Sequence, residues 1–178
     1  MKLRNDTDLA AWLKLGCLPG IGGVKMNKLL SKDTPSNIVG YSTEQLQLLG
    51  FTTKQLQAWS EVDKEVDACL TWASASSHHH IVTLADTLYP PLLKQTVAPP
   101  PLLFIKGEAS CLSQPQIAMV GSRNASVDGL QHARQFAADL VKHDLIVTSG
   151  LALGIDGHAH DGALCKRTVK PLRYWVQG

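Results

Sequence analysis

The sequence has no apolar run near the roughly 20 residues that a membrane-spanning helix needs. It also lacks a secretory signal core, because Asp6, Asp8 and Lys14 interrupt the short apolar stretch near its start. Cysteine is sparse and scattered. Cys17, Cys69, Cys111 and Cys165 include no C-x-x-C pair, which removes the usual zinc and redox motifs. Without an export signal, the expectation is a cytoplasmic protein whose thiols are free and mostly buried. A strong charge bias is missing too. The net charge of +2 and pI of about 8.4 are too mild to argue nucleic-acid binding alone. No internal repeat is visible.

What is present is a globular composition, 44% hydrophobic and 18% charged, in 178 residues, enough for one ordinary domain or two small ones. Residues 1–77 read as a small helical domain. Leu9, Trp12, Leu13 and Leu15 predict a short amphipathic helix ending at Gly16. The glycine hairpin Pro19-Gly20-Ile21-Gly22-Gly23 follows, and then a helix from Val24 to Leu30. Ser42 and Gln45 form a capping-box pattern for a helix through Leu49 that stops at Gly50. Thr53 caps a predicted longer helix, with Leu56, Trp59, Val62, Val66, Cys69, Leu70 and Ala73 at helical spacing.

Ser74 to His80 is a polar break, and the pattern then changes. Ile81–Leu84 and Leu102–Ile105 are strand candidates on either side of a proline-punctuated excursion. Ile117–Val120 predicts a short buried strand, and Val127–His143 a helix with Ala133, Phe136, Ala137, Leu140 and Val141 on one face. Leu145–Thr148 is the next strand, and another helix starts near Ile155 or Asp156. Strand, helix, strand, helix with short turns predicts an α/β domain, an incomplete Rossmann-like parallel sheet over 78–164.

Two strand-to-helix turns carry the chemistry: Val120 to Ser126 and Thr148 to Gly157. In a parallel sheet both fall at the carboxyl ends of their strands, where such folds bind ligands. Glycine lets backbone approach an anion, and a helix start offers free N–H groups. Ser122, Ser126 and Ser149 add hydroxyls, and Arg123 adds a planar guanidinium suited to phosphate. Neither turn has the dinucleotide fingerprint or the P-loop pattern. An ordinary tight turn would also need glycine. Two at matching sheet positions favour phosphate.

The segment Ile117-Ala118-Met119-Val120-Gly121-Ser122-Arg123, followed after one helix by Thr148-Ser149-Gly150-Leu151-Ala152-Leu153-Gly154-Ile155-Asp156-Gly157, closely resembles the G-S-R and S-G-x-A-x-G-I-D segments of the DNA-processing protein A (DprA/Smf) family. Tyr89-Pro90-Pro91-Leu92-Leu93 and Pro101 to Gly107 are similar to that family's lead-in to its Rossmann-like domain. The order and spacing agree from about Leu9 to Leu164. The resemblance implies a protein of natural transformation that is not an enzyme, binds single-stranded DNA without cofactor or metal, and loads the RecA recombinase. Gly121, Ser122, Arg123, Asn124 and Ser126 would then grip the DNA backbone, with Ser149, Gly150 and Gly154 shaping the adjoining wall. Asp156, which would repel an anion, is expected to order the loop and cap the helix. The glycine hairpin resembles a helix-hairpin-helix in a SAM-like helical domain. Gly20, Gly22, Lys25 and Lys28 are therefore a second candidate DNA contact; a corner used only for packing is the alternative.

His158 and His160 stand two apart, so on a helix they point in different directions and predict no metal site. After Leu164 the family pattern stops, and Cys165 to Gly178 is basic and broken by Pro171. Permitted codons for Thr168 to Gln177, read in another phase, give Gly-Lys-Thr-Ile-Ala-Val-Leu-Gly-Thr, a strand with a glycine turn. The expectation is a frameshifted, truncated product with an out-of-frame tail over 165–178, its dimer surface missing and its DNA binding weakened. Two other classes compete with a recombination mediator. One is a nucleotide- or phosphoribosyl-processing enzyme, which needs a carboxylate poised beside the phosphate turn. The other is a helical scaffold with a purely structural sheet.

Overall fold

A computed structural model describes residues 6–166, which fall into two compact units, one through Ala109 and the other from Ser110. Of the tail over 165–178 that was expected to be out of frame, Cys165 and Lys166 close the last helix, and the residues from 167 onward lie outside the described residues.

The first unit holds helices α1 (Asp6–Cys17), α2 (Gly23–Leu30), α3 (Pro35–Ile38), α4 (Thr43–Leu48), α5 (Thr53–Gln57), α6 (Val62–Ser74) and α7 (Pro91–Lys94), and strands β1 (His79–Thr83) and β2 (Leu102–Lys106). Its core gathers around α1, whose Leu13 and Leu15 are fully buried with Met26, Ile38, Leu103 and Ile105. Burial of such side chains stabilises by roughly 1.5–3 kcal/mol each. The predicted capping box is present: the Ser42 hydroxyl accepts from the Gln45 amide, and the Gln45 side chain accepts from the Ser42 amide.

The expected long helix from Thr53 is instead two helices, and Thr52 rather than Thr53 is the cap of the first. Between them the backbone tightens: the Trp59 amide donates to Leu56 and the Glu61 amide to Ala58, each three residues back. That tightening lets Trp59 meet Phe51 edge to face at 5.6 Å, beneath the Lys14 ammonium. Periodicity could not show it, because the chain stays nearly helical throughout. The four-residue α3, capped by Thr34 and opened by Pro35, is too short for a periodic signal.

Strands β1 and β2 pair antiparallel, His79 opposite Lys106 through Thr83 opposite Leu102. They belong to the same unit as the helices. A side chain at Gly16 would collide with Leu102, so the end of α1 lies directly on β2. The proline-rich excursion is tied down at Tyr89, whose hydroxyl donates to the Pro100 carbonyl at 2.8 Å.

The second unit is a βαβα run: β3 (Gln116–Ala118), α8 (Val127–Lys142), β4 (Ile146–Thr148) and α9 (Ile155–Lys166), preceded by a 3-10 turn at Ala109–Ser113. The strands are parallel, with Gln116, Ile117 and Ala118 opposite Ile146, Val147 and Thr148. This is the predicted α/β connectivity. Its core is Ala137, Val147 and Ala159, flanked by Met119, Leu140, Val141 and Ala163. Gly162 of α9 lies against the Arg134 carbonyl of α8, an approach that any side chain would block.

Two expectations fail here. Strand β3 is exposed along its length rather than buried, because β4 is its sole partner among the described residues and β4 takes the central place under the helices. Phe136 is 67% exposed, not on the packed face of α8. The face that α9 covers is made of the small residues Ala133 and Ala137, one turn apart.

Truncating Leu13 to alanine should lower the unfolding free energy by about 2–5 kcal/mol, and Ser42→Ala by about 1 kcal/mol. Urea titration followed by circular dichroism measures both. A Leu13→Ala chain as stable as the parent would mean that α1 is not the centre of the helical core.

Candidate nucleic-acid interface

The turn after β3 and the turn after β4 come together because their strands are parallel neighbours. The Met119 amide donates to the Thr148 carbonyl at 2.9 Å, carrying the pairing one residue past the strand end. Beyond it the turns interlock. Gly154 has φ +85°, and a side chain there would strike the Ser122 carbonyl and the Arg123 backbone. Only glycine meets both demands. In the reverse direction, a side chain on Gly121 would lie 2.7 Å from Ile155 Cγ1, so the bare Cα of Gly121 is where Ile155 packs. The Ile155 amide closes the contact by donating to the Ser122 carbonyl at 3.2 Å.

The remaining predicted site residues divide by role. The Ser122 hydroxyl accepts from the Asn124 amide at 3.1 Å and shapes the first turn. Ser126 is the N-cap of α8, its hydroxyl accepting from the Gly129 amide at 3.2 Å. Gly121, Ser122, Arg123, Asn124 and Ser126 are all exposed. Among the described residues the Arg123 guanidinium and the amides of Gly121, Ser122 and Arg123 meet no acceptor. In the second turn, the Gly150 amide donates to Asp156 Oδ2 at 3.0 Å, and Asp156 is buried. That carboxylate therefore faces into the protein and fixes the loop. The Ser149 hydroxyl is screened from solvent without a partner among the described residues.

Sequence reasoning missed Ile155. It fills the space under Gly121 and joins the turns through its amide, yet as an ordinary apolar residue at a helix start it carries no distinguishing pattern. His158 Nδ1 lies 3.1 Å from the Gly154 carbonyl. No group of three His, Cys, Asp or Glu side chains among the described residues is arranged to hold a metal.

The glycine hairpin of the first unit is built differently. Gly20 has φ +75°, and a side chain on Gly23 would strike the Pro99 carbonyl, so both glycines have structural reasons. Gly20, Gly22, Lys25 and Lys28 line a groove of about 560 Å³ together with Leu49 and Gly50. Lys25 is held inside that structure. Its ammonium donates to the Gly50 carbonyl at 2.9 Å and to Gln55 Oε1 at 2.6 Å, and it lies over the Phe51 ring. Burial pushes its pKa below the ordinary lysine range. Lys28 is exposed.

Residues 80–171, just over half of the chain, match the family described as DNA recombination-mediator protein A, and residues 6–71 match the SMF/DprA SAM domain. The chain belongs to this family. Over 101 residues it is 40% identical to Protein Smf of Escherichia coli, a stretch covering 57% of this chain and 27% of that protein. It is 39% identical over 82 residues to the DNA processing protein DprA of Streptococcus pneumoniae, covering 46% of this chain and 29% of the relative. The chain thus matches little more than a quarter of the length of either relative. The X-ray structure of the Streptococcus pneumoniae DprA aligns with a TM-score of 0.62 and 26% identity, over 93% of this chain and 56% of that one. The likeness supports the α/β class and the SAM-type helical domain.

Gly154→Ala places a β-carbon against the Ser122 carbonyl in a left-handed backbone and should cost at least about 2 kcal/mol. Hydrogen exchange at the Ile155 amide, which donates to the Ser122 carbonyl, should rise with it. A variant whose stability and exchange equal the parent's would show that the two turns are not seated on each other.

Proposed function

We propose that this chain binds the phosphate backbone of single-stranded DNA at the interlocked turns and acts in the cytoplasm as a recombination mediator that helps load the RecA recombinase. The observation that carries the reading is the seating of Gly154 on Ser122 and Arg123. It joins the two turns and leaves Gly121, Ser122 and Arg123 exposed, with their amides and the Arg123 guanidinium meeting no acceptor among the described residues. Backbone amides in a glycine turn and a planar guanidinium are the groups that hold phosphate oxygens. Membership of a recombination-mediator family supports the same ligand and the loading role. No helix among the described residues is long and apolar enough to cross a membrane.

On this reading Gly121, Ser122 and Arg123 touch the strand. Asn124 and Ser126 border it, and Ser149, Gly150 and Gly154 form the wall. Gly20, Gly22 and Lys28 are a second, weaker contact. Lys25 is excluded from that contact by its own bonds to Gly50 and Gln55. The nucleotide-processing alternative needs a carboxylate free to act beside the phosphate turn. Asp156 is the nearby one, and it is buried and engaged by the Gly150 amide. The protein is accordingly read as a binder and not an enzyme.

Fluorescence anisotropy with a labelled oligothymidylate at several salt concentrations tests the proposal. Arg123→Ala should weaken binding by roughly tenfold and reduce the salt slope by about 0.7, the value of one phosphate contact on a single strand. Lys25→Ala should leave that slope unchanged. Binding that is indifferent to both salt and Arg123 would remove the phosphate role from this turn.

A further inference from the structure

Exposed apolar side chains crowd the interlocked turns. Val120 is 76% exposed, Leu151 48% and Leu153 82%. Val120 precedes Gly121, and Leu153 precedes Gly154, the residue seated against the Arg123 backbone. Consecutive Cα atoms are about 3.8 Å apart, so Leu153 stands beside the Arg123 turn. Leu151 departs further from what the fold alone would select. Its φ is +55°, in the left-handed region that a bulky side chain enters only at a cost. Glycine would take that backbone freely. Leucine recovers little there from packing, because its side chain is exposed. The exposure of Ile117 has an architectural cause, β3 having a single partner strand among the described residues. Leu151 and Leu153 lie past the strand ends, in the turn itself.

Resting on the reading of these turns as a phosphate contact, we propose that Leu151 and Leu153 contact the bases of the single strand whose backbone is held at Arg123. A single strand sets an anionic backbone and open, apolar base faces side by side within each nucleotide. The turns offer the matching pair. Gly121 to Arg123 supply amides and a guanidinium for the oxygens, and the two leucines supply apolar surface for the bases. A duplex does not fit, because its base faces are closed against one another. The charges agree with this occupant. Of the two charged residues in the turns, Asp156 is buried and Arg123 is exposed, so the outward charge beside the leucines is positive. Leucine carries neither donor nor acceptor on its side chain. The contact therefore registers that a base is present and is blind to which base it is. The left-handed backbone at Leu151 then has a use: it holds an apolar side chain out of the protein, where a glycine would offer none.

Two labelled probes of equal length separate bases from backbone: an oligothymidylate, and an abasic oligodeoxynucleotide with the same phosphates and no bases. Anisotropy is measured with both for the full chain, Leu151→Gly, Leu153→Ser and Arg123→Ala. The parent should bind the oligothymidylate more tightly than the abasic strand. Leu151→Gly and Leu153→Ser should each weaken oligothymidylate binding by about fivefold, the effect of leaving part of one leucine uncovered, and leave abasic binding and its salt slope unchanged. Arg123→Ala should weaken both probes. Leu151→Gly should also melt no lower than the parent, since glycine relieves the left-handed backbone; tighter folding with weaker binding is a pairing that a merely structural leucine would not give. Should Leu151→Gly fail to fold, Leu153→Ser decides alone. Equal binding of the two probes by the parent, or leucine variants that weaken both alike, would overturn the base contact while an Arg123→Ala loss keeps the phosphate contact standing. Binding of neither probe removes both. Leucine variants that shift the sedimentation coefficient of the free protein and leave oligothymidylate affinity intact would assign the leucines to a second copy of the chain and sink the proposal.

Discussion

Seating Gly154 on the backbone of Ser122 and Arg123 is the contact on which the second unit's turns depend. Strands β3 and β4 pair over three residues each, too short a ladder to fix what happens beyond their ends. The fixing is done by close backbone approach. Gly154 gives way to Ser122 and Arg123, Gly121 gives way to Ile155, and the Ile155 amide joins the two to the Ser122 carbonyl. The helices above use the same device. Gly162 admits the Arg134 carbonyl, and Ala133, Ala137 and Ala159 keep the interface thin. Small residues let a unit with little hydrophobic bulk hold its elements close, since dispersion contacts fall off steeply with distance.

Two of the chain's glycine turns, the Pro19–Gly23 hairpin and the G-S-R turn, look alike as sequence and differ as structure. In the hairpin from Pro19 to Gly23, the glycines serve the path of the chain and its packing on the proline segment. The Gln55 amide donates to the Pro19 carbonyl from a buried position, while Lys25 turns inward to Gln55 and Gly50. In the G-S-R turn the glycine packs inward and the cation does not. Arg123 and the residues around it remain exposed, although the turn is as tightly supported from beneath. The difference lies in where the donors end up, and a glycine count alone cannot reveal it.

Most of the longer helices, the order of the α/β elements and the proximity of the two turns were legible in the residues. Each rests on a local rule: capping at Ser42, a glycine stop at Gly50, and parallel connectivity that sends strand ends to one side. Tertiary choices were less legible. The break between α5 and α6 depends on Trp59 reaching Phe51, a contact with no local signature. The exposure of β3 follows from how many strands flank it, which the apolar run at Ile117 does not encode. Phe136 was misplaced because α9 approaches through alanines, and a hydrophobic stripe cannot show which of its members the next helix will cover. The role of Asp156 was legible for an electrostatic reason: beside an anion site a carboxylate is tolerable only if it faces inward.

That inward carboxylate also bears on the kind of ligand the surface suits. Asp156 takes the Gly150 amide and offsets the positive end of α9, which weakens the second turn as an anion site. Ser126 occupies the start of α8, and Ser122 engages the Asn124 amide. What remains for phosphate is a short row of amides from Gly121 to Arg123 and one guanidinium, all on exposed residues. A small nucleotide held by so few groups in the open would bind feebly, because tight small-molecule sites enclose most of the ligand. A polymer is under no such demand. A strand that meets a modest phosphate contact here can add others along its length, and each weak contact counts once the chain is held. The geometry of the turns therefore favours a nucleic-acid backbone over a mononucleotide.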